Sequence, residues 1–408
     1  MTSPPLGRNF RLLWSAAVSS RLGDALRTPA LALLAATVTR DPRIIAAVTV
    51  AGQLPPLLFG LLGGVYADRW DRRRTMALVD GVRATVVAAL AVAVALDRVG
   101  VAVLLLAAFL LAALGTLFDS ASFALLPALV PPDALPRANG RLQAGSAVAG
   151  GFLGAPAAGV LFAVAPALPF ALDAVTFAAA ALLVLALAPL PVAVPRASTR
   201  RLSVGSEIAE GVRWLRGHRT LWRVTVLAAA SNLVISGIIA VQVLYALDVL
   251  RVPPAGYGLF AAAAIVGGVA GALGAGRLAA RVGTLPALRA VLAAQTVALT
   301  GFALARDPVL GGLALAVFAA GTVVWNSLCA SYGQRYVPAG LLGRVGAAQR
   351  MVGLLTAPVG AVLAGLAAAA YGTVPVVGAA ALTFALVTVA AWRTLRTAPS
   401  VPSPSGAA

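Results

Sequence analysis

The chain is expected to be an all-α polytopic membrane protein, with twelve transmembrane helices in two six-helix bundles related by a pseudo-two-fold axis. Three observations predict this. Hydrophobic residues make up 61% of the 408 and charged residues only 11%, a composition foreign to water-soluble domains of this length. Apolar runs long enough to cross a bilayer of about 30 Å recur along the whole chain. The second half also repeats features of the first, in order and at a nearly constant offset.

The predicted spans fall near residues 10–38, 44–67, 75–96, 99–130, 138–164, 167–189, 220–248, 256–280, 284–305, 308–336, 342–370 and 373–392. Alanine, leucine, valine and glycine dominate them, which suits closely packed helices rather than the alternating pattern of a membrane barrel. Arginine placement orients the chain. Arg40, Arg43, Arg98, Arg251 and Arg306 fall in every second connection, whereas Arg69, Arg72, Arg73, Arg74, the 196–223 cluster, Arg393 and Arg396 lie in or beside the alternate set. By the positive-inside rule both termini are cytoplasmic, and the net charge of +18 serves topology rather than nucleic-acid binding. No cleavable leader pattern is read at the start, so the first span is expected to stay. All 31 basic residues are arginine, a bias that fits a GC-rich bacterial genome and hence a bacterial inner membrane.

The expected domains are an N-terminal bundle at 1–189, a cytoplasmic linker at 190–217, a C-terminal bundle at 218–396 and a disordered tail at 397–408. The linker breaks the apolar pattern with Pro, Ser, Arg and the two glutamates, Glu207 and Glu210. Its later part reads as a short amphipathic helix with Ile208, Val212 and Leu215 on the apolar side. Asp119 aligns with Asn326, Pro131 with Pro338 and Arg137 with Arg344 at an offset of 207, Arg21 with Asn232 at 211, and Asp68 with Ala280 at 212. Parallel repeats about the membrane normal are a carrier layout. The acidic and basic positions paired within the spans become neutral in the second half, so charge chemistry is kept in the first.

Between the second and third spans, "GVYADRWDRRR" resembles the loop signature of the major facilitator superfamily. Gly64, Ala67, Asp68, Arg69 and Arg72 to Arg74 match the pattern; Tyr66 stands where leucine is usual and Asp71 where a second glycine is usual. The resemblance implies a gate: Asp68 caps a helix start in the other half, pairs with a nearby arginine, and locks the cytoplasmic side. "NFRLLWSAAVSSRLGDAL", "ALVDGVRA", "ALLPALVPPDALPRANGRLQ" and "PFALDAVTF" resemble the enterobactin-exporter and macrolide-efflux branch of that superfamily. That branch implies proton-driven export of drugs, siderophores or antibiotics. In the fifth span "GFLGAPAAG" partly matches the superfamily's antiporter signature through Gly151, Pro156 and Gly159, with Ala155 in place of a glycine. It reads either as a stiff kink near the interface of the halves or as ordinary membrane-helix glycine and proline.

The first span carries Arg21, Asp24 and Arg27 at three-residue spacing, so the acid can meet either cation on one helical face. Intramembrane charges are costly and are functional candidates by default. Asp24 reads as a proton carrier or as part of a structural ion pair, since flanking cations favour the carboxylate form; the preferred reading combines them, with Asp24 protonated when the cavity closes and one arginine swinging to substrate or to Asp119. Asp119 in the fourth span is the alternative proton site or a hydrogen-bonded acid at a helix bend. Asp80 and Arg83 are expected to pair and pin the gate loop, and Asp173 to cap local backbone. Gln53, Asn232, Gln242, Trp325 and Asn326 are candidate substrate contacts, with interhelical glue as the competing reading. His218 is expected to be a solvated surface residue, and Cys329 a packing residue.

No lysine is present for a phosphate-binding loop, which excludes an ATP-driven pump within this chain. One histidine, one cysteine and glutamates confined to the linker leave neither a metal cluster nor a nucleophile with its base, so no enzyme and no cofactor are expected. The expected partners are a small amphipathic substrate, protons as coupling ion and the lipid bilayer, with the chain acting as a monomer. Rival readings are an uptake carrier, a lipid flippase or a receptor of the same fold.

Overall fold

The computed structural model describes residues 7–67, 71–131, 134–188, 204–338 and 341–394. Regular structure among the described residues is helical throughout. The first bundle comprises α1 (Gly7–Val38), α2 (Pro42–Ala67), α3 (Arg72–Ala95), α4 (Val101–Leu125), then α5 (Leu135–Ala147), a π-helical stretch (Val148–Gly154) and α6 (Ala155–Val164) as one span, and α7 (Leu168–Leu185). The linker ends in α8 (Val204–Gly217). The second bundle comprises α9 (Arg219–Leu244) prolonged by a π-helical stretch (Tyr245–Val249), α10 (Pro254–Val282), α11 (Thr284–Leu304), α12 (Pro308–Tyr336), α13 (Leu342–Tyr371) and α14 (Thr373–Thr394). Among the described residues, eleven spans are long and apolar enough to cross a membrane. The remaining predicted span, α1, is 32 residues long and differs in carrying three charges through its middle.

Local chemistry explains the helix boundaries. Asp307 caps α12, accepting hydrogen bonds from the amides of Val309 and Leu310 at 3.0 Å, and Pro308 follows at the first helical position, where its missing N–H costs nothing. Asp71 caps α3 through the Arg74 amide. Ahead of α2, Asp41 accepts from the Arg43 amide at 2.9 Å, and the Arg43 guanidinium holds its carboxyl below the usual carboxylate range. One-residue turns join α10 to α11 and α13 to α14 at Gly283 and Gly372, with φ of 83° and 84°, a left-handed conformation that glycine adopts without steric cost.

Small residues set the packing distance within each bundle. On α10, Gly267 and Gly271 lie against the carbonyls of Ala316 and Ala320 on α12, and Gly360 of α13 lies against that of Leu233 on α9. Leu182, Val297 and Leu386 stay largely exposed, as lipid-facing side chains do, because lipid supplies the apolar surroundings that a soluble core would.

The two bundles meet away from the linker, at the end where α1 leads into α2 and α9 into α10. Gly159 of α6 and Gly258 of α10 bring the two backbones together; a methyl at either would strike the other helix's main chain. Gly365 of α13 sits against Ala46 and the Pro42 carbonyl of α2. Arg40 spans the same end to Asp248 at 2.9 Å. On the linker side, α8 packs on α13: Leu215 is buried, Gly211 lies against the Arg344 carbonyl, and Glu210 pairs with Arg344 at 2.9 Å. The expectation for His218 needs correcting. Its Nδ1 accepts from the Leu221 amide to cap α9, and its ring stacks on Trp214, because a chain turning directly from one helix into the next leaves orphan amides that need an acceptor.

Candidate functional site

The first-span charges come together as their spacing predicts. Asp24 Oδ1 accepts from Arg27 at 2.5 Å, and Arg21 lies 4.0 Å from Asp24 Oδ2. The cluster also reaches three other helices. Arg83 of α3, 1% exposed, donates to the same Asp24 oxygen at 2.5 Å, to Asp80 at 3.1 Å and to Ser20 at 2.9 Å. Its guanidinium lies 3.8 Å above the Phe177 ring of α7, so a fully buried cation has two carboxylates, a hydroxyl and an aromatic face around it. Arg21 extends to Asp119 of α4 at 2.6 Å. Arg27 Nε stands 3.2 Å from Asp173 Oδ2 of α7, although neither atom has a hydrogen-bond partner among the described residues.

Asp173 therefore departs from its expected role as a backbone cap. Its carboxylate is turned toward α1, over Gly23, where the missing side chain makes room. The Asp80 and Arg83 pair is present, but it belongs to this cluster. The sequence reading missed that α1, α3, α4 and α7 share one network. Charge balance carried a signal for it, since isolated intramembrane charges must find partners, and these four helices hold three mid-span arginines and four aspartates.

A cavity of about 470 Å³ lies between the bundles, lined by α1, α2, α4, α9 and α10. Arg27 is the one charged residue among those lining it; Gln53, Gln242, Thr28, Thr49 and Tyr257 supply polar edges, and the rest is aliphatic. A second cavity of about 460 Å³ opens beside Arg21 and Asp24, against the π-helical stretch of the fifth span. Asp24 thus faces one space and Arg27 the other.

The other candidates fall into distinct places. Gln53 and Gln242 line the first cavity. Asn232 instead donates to the Gly353 carbonyl at 2.6 Å, joining α9 to α13. Trp325 is buried in the apolar core, and Asn326, the repeat partner of Asp119, is exposed. Gly151 falls in the π-helical stretch and Pro156 in the first turn of α6, so the proline sits where its absent N–H follows a helix already shifted in register. Gly159 provides the backbone contact between the bundles. In the gate loop, Gly64 lies in the last part of α2 and Arg72 opens α3, while Asp68 and Arg69 lie outside the described residues. Arg73 donates to the terminal carbonyls of α7, those of Val184 and Leu185, a favourable cation at a helix C-terminus. Cys329 packs against the core.

This architecture, two bundles around a cavity with a charge network in one of them, is that of a membrane carrier. The family model described as Major Facilitator Superfamily matches residues 13–361, and the chain belongs to that superfamily. No curated protein sequence matches it as a relative. Among solved structures, the chain is similar to the nucleoside transporter NupG, with a TM-score of 0.75 at 13% identity, covering 95% of this chain and 100% of that one. It is also similar to a bacterial homologue of the human lysosomal transporter Spinster in an inward-facing, unoccupied conformation, with a TM-score of 0.74 at 15% identity, covering 97% and 98%. A bacterial homologue of the iron transporter ferroportin, inward-facing, gives a TM-score of 0.73 at 16% identity, covering 96% and 99%. At these identities the likeness speaks to the fold.

Proposed function

We propose that this transporter is a proton-coupled exporter of small amphipathic compounds, of the drug, antibiotic or siderophore class, working by alternating access as a monomer in a bacterial inner membrane. The linker and both termini then lie in the cytoplasm, and the conformation described is open toward it, with the far end shut by the α6–α10 and α2–α13 contacts. One observation carries the reading. Arg27 touches the cavity on one side and the buried carboxylates on the other, so a cargo in an otherwise apolar pocket borders directly on a group of acids. The mostly aliphatic lining with a few amide and hydroxyl edges suits amphipathic cargo. When the linker side closes, the 64–74 loop takes the gate role that its resemblance implies.

The test is a growth-inhibition panel in a pump-deleted host, followed by energised inverted vesicles, acid inside, to which the compounds found are added from the outer, cytoplasmic face. Expression should raise tolerance to some apolar compounds, and adding them to energised vesicles should draw protons out along with transport. Tolerance without any proton movement would remove the coupling; no tolerance and no transport across the panel would remove export.

A further inference from the structure

We infer that Asp173 is a proton-binding site: a sealed carboxylate between α1, α3 and α7 that holds one proton in the conformation described. This inference rests on the coupling reading above and gives it a location.

Charge counting leads there. The buried part of the network holds Arg27 and Arg83 against Asp24, Asp80 and Asp173, so it is one positive charge short. Arg21, about half exposed like its partner Asp119, also lies 4.0 Å from Asp24 Oδ2, and counting this outer pair leaves the network at three arginines to four aspartates, still one positive charge short. The deficit has to fall on one of three acids. Asp24 accepts two guanidinium hydrogen bonds at 2.5 Å, a geometry that only an ionised carboxylate satisfies well. Asp80 is 0% exposed, and its Oδ1 accepts from Arg83 at 3.1 Å while its Oδ2 has no partner among the described residues, so it keeps one cationic donor where Asp173 has none. Asp173 is 0% exposed, and neither of its oxygens receives a hydrogen bond among the described residues.

Among the described residues, charged groups face Asp173 from α1 and α3. From α1 come Arg27, whose terminal nitrogen is bonded to Asp24 while its Nε stands 3.2 Å from Asp173 Oδ2 outside hydrogen-bonding geometry, the Asp24 carboxylate itself, and Gly23, over which the Asp173 carboxylate lies. From α3 come Arg83 and Asp80. On α7 itself, the Thr176 hydroxyl donates to the Asp173 carbonyl rather than to the side chain. The packed span α6 has no titratable side chain in its sequence. A buried carboxylate without donors is neutralised far more readily than it stays charged, and a proton from the cavity water closes the deficit. A metal ion fits poorly, because two guanidinium groups stand beside the acid and hard cations need several oxygen ligands. Arg27 is also the side chain between Asp173 and the cavity, so a cargo that presses Arg27 toward the acid favours its ionised form and expels the proton, and by linkage proton and cargo binding oppose each other, the sign that exchange requires.

The test is infrared spectroscopy of the purified full-length protein in lipid nanodiscs, titrated with pH and with no cargo present. The wild type should show the carbonyl band of a protonated, weakly hydrogen-bonded carboxylic acid near neutral pH. That band should vanish in Asp173→Asn, persist in Asp119→Asn, and extend to higher pH in Arg27→Gln. Gly23→Ala keeps the acid but places a methyl against Asp173 Oδ1, so the band should move in frequency; this variant serves if Asp173→Asn does not fold. A band that survives Asp173→Asn, or that appears only when sodium is replaced by choline, overturns the site. Gradient-driven transport in the same variants separates the two proposals. If the band maps to Asp173 while transport ignores the pH gradient, coupling falls and the site stands. Should transport keep its gradient dependence in Asp173→Asn while the band maps elsewhere, the site falls and coupling stands.

Discussion

Arg83 in α3 and Gln295 in α11 occupy equivalent positions in the two bundles, at the same offset of 212 that relates Asp68 to Ala280. Both are buried, at 1% and 2% exposure, and each lies beside a glycine of the neighbouring helix, Gly115 of α4 for Arg83 and Gly321 of α12 for Gln295. What they do there differs. Arg83 ties Asp24 and Asp80 together as an ion network, whereas Gln295 donates to the Phe318 carbonyl at 3.1 Å and to the Thr322 hydroxyl at 3.0 Å. Asp80 is matched by Leu292 at that offset. One packing site thus serves two purposes. The first bundle spends it on charges that need one another, and the second on a neutral bond that holds helices together.

The largest effect should come from making the first bundle resemble the second. Arg83→Gln leaves Asp24 and Asp80 buried without their shared cation, and breaking a buried pair from one side costs about 3–5 kcal/mol. Thermal unfolding in detergent should show a large loss of stability and of folded yield. Adding Asp80→Leu, the residue found at the equivalent place, should restore much of it by removing an acid that no longer has a partner. If Arg83→Gln alone is as stable as the wild type, the buried network is not what holds α1 against α3.

The comparison also shows what was legible in the sequence. The spans, the linker helix and the α1 triplet follow from apolar run length and from three-residue spacing, both local properties. Membership of Asp173 and Arg83 in one site is a property of how α1, α3 and α7 pack, which no spacing along the chain encodes. Asn232 shows the reverse. A lone polar residue in a span looks the same in sequence whether it lines a cavity or bonds a neighbouring carbonyl, and only the α9–α13 contact decides. Gln53 and Gln242 carried the same signal and reached the cavity.

A middle-sized effect separates the two glycines. At Gly321 a methyl would run into the Gln295 side chain, whereas at Gly115 it would meet the Arg83 guanidinium at an ordinary 3.6 Å. Gly321→Ala should therefore destabilise by about 1–3 kcal/mol through overpacking, while Gly115→Ala should be close to neutral or slightly stabilising through the helix propensity of alanine. Paired unfolding curves decide it. Equal losses at both sites would mean that the two positions are packed alike, and the contrast between bundles would then lie in charge alone.

The smallest effect is expected where the neutral bond itself is removed. Gln295→Leu deletes both donations, but the acceptors are not orphaned: the Phe318 carbonyl still receives the Thr322 hydroxyl at 3.1 Å within the same helix turn. Leucine has a similar volume and no polar atom to strand, so the loss is that of a modest interhelical hydrogen bond, about 1 kcal/mol or less. Transport should be unchanged, because Gln295 is absent from the residues lining both described interbundle cavities. Measured side by side with Arg83→Gln, this variant is the sharper half of the comparison. A small cost at Gln295 against a large one at Arg83 assigns the first bundle's sensitivity to ionic partners rather than to the packing site. A cost at Gln295 equal to that at Arg83 would show instead that this position is intolerant in either bundle, whatever the chemistry placed there.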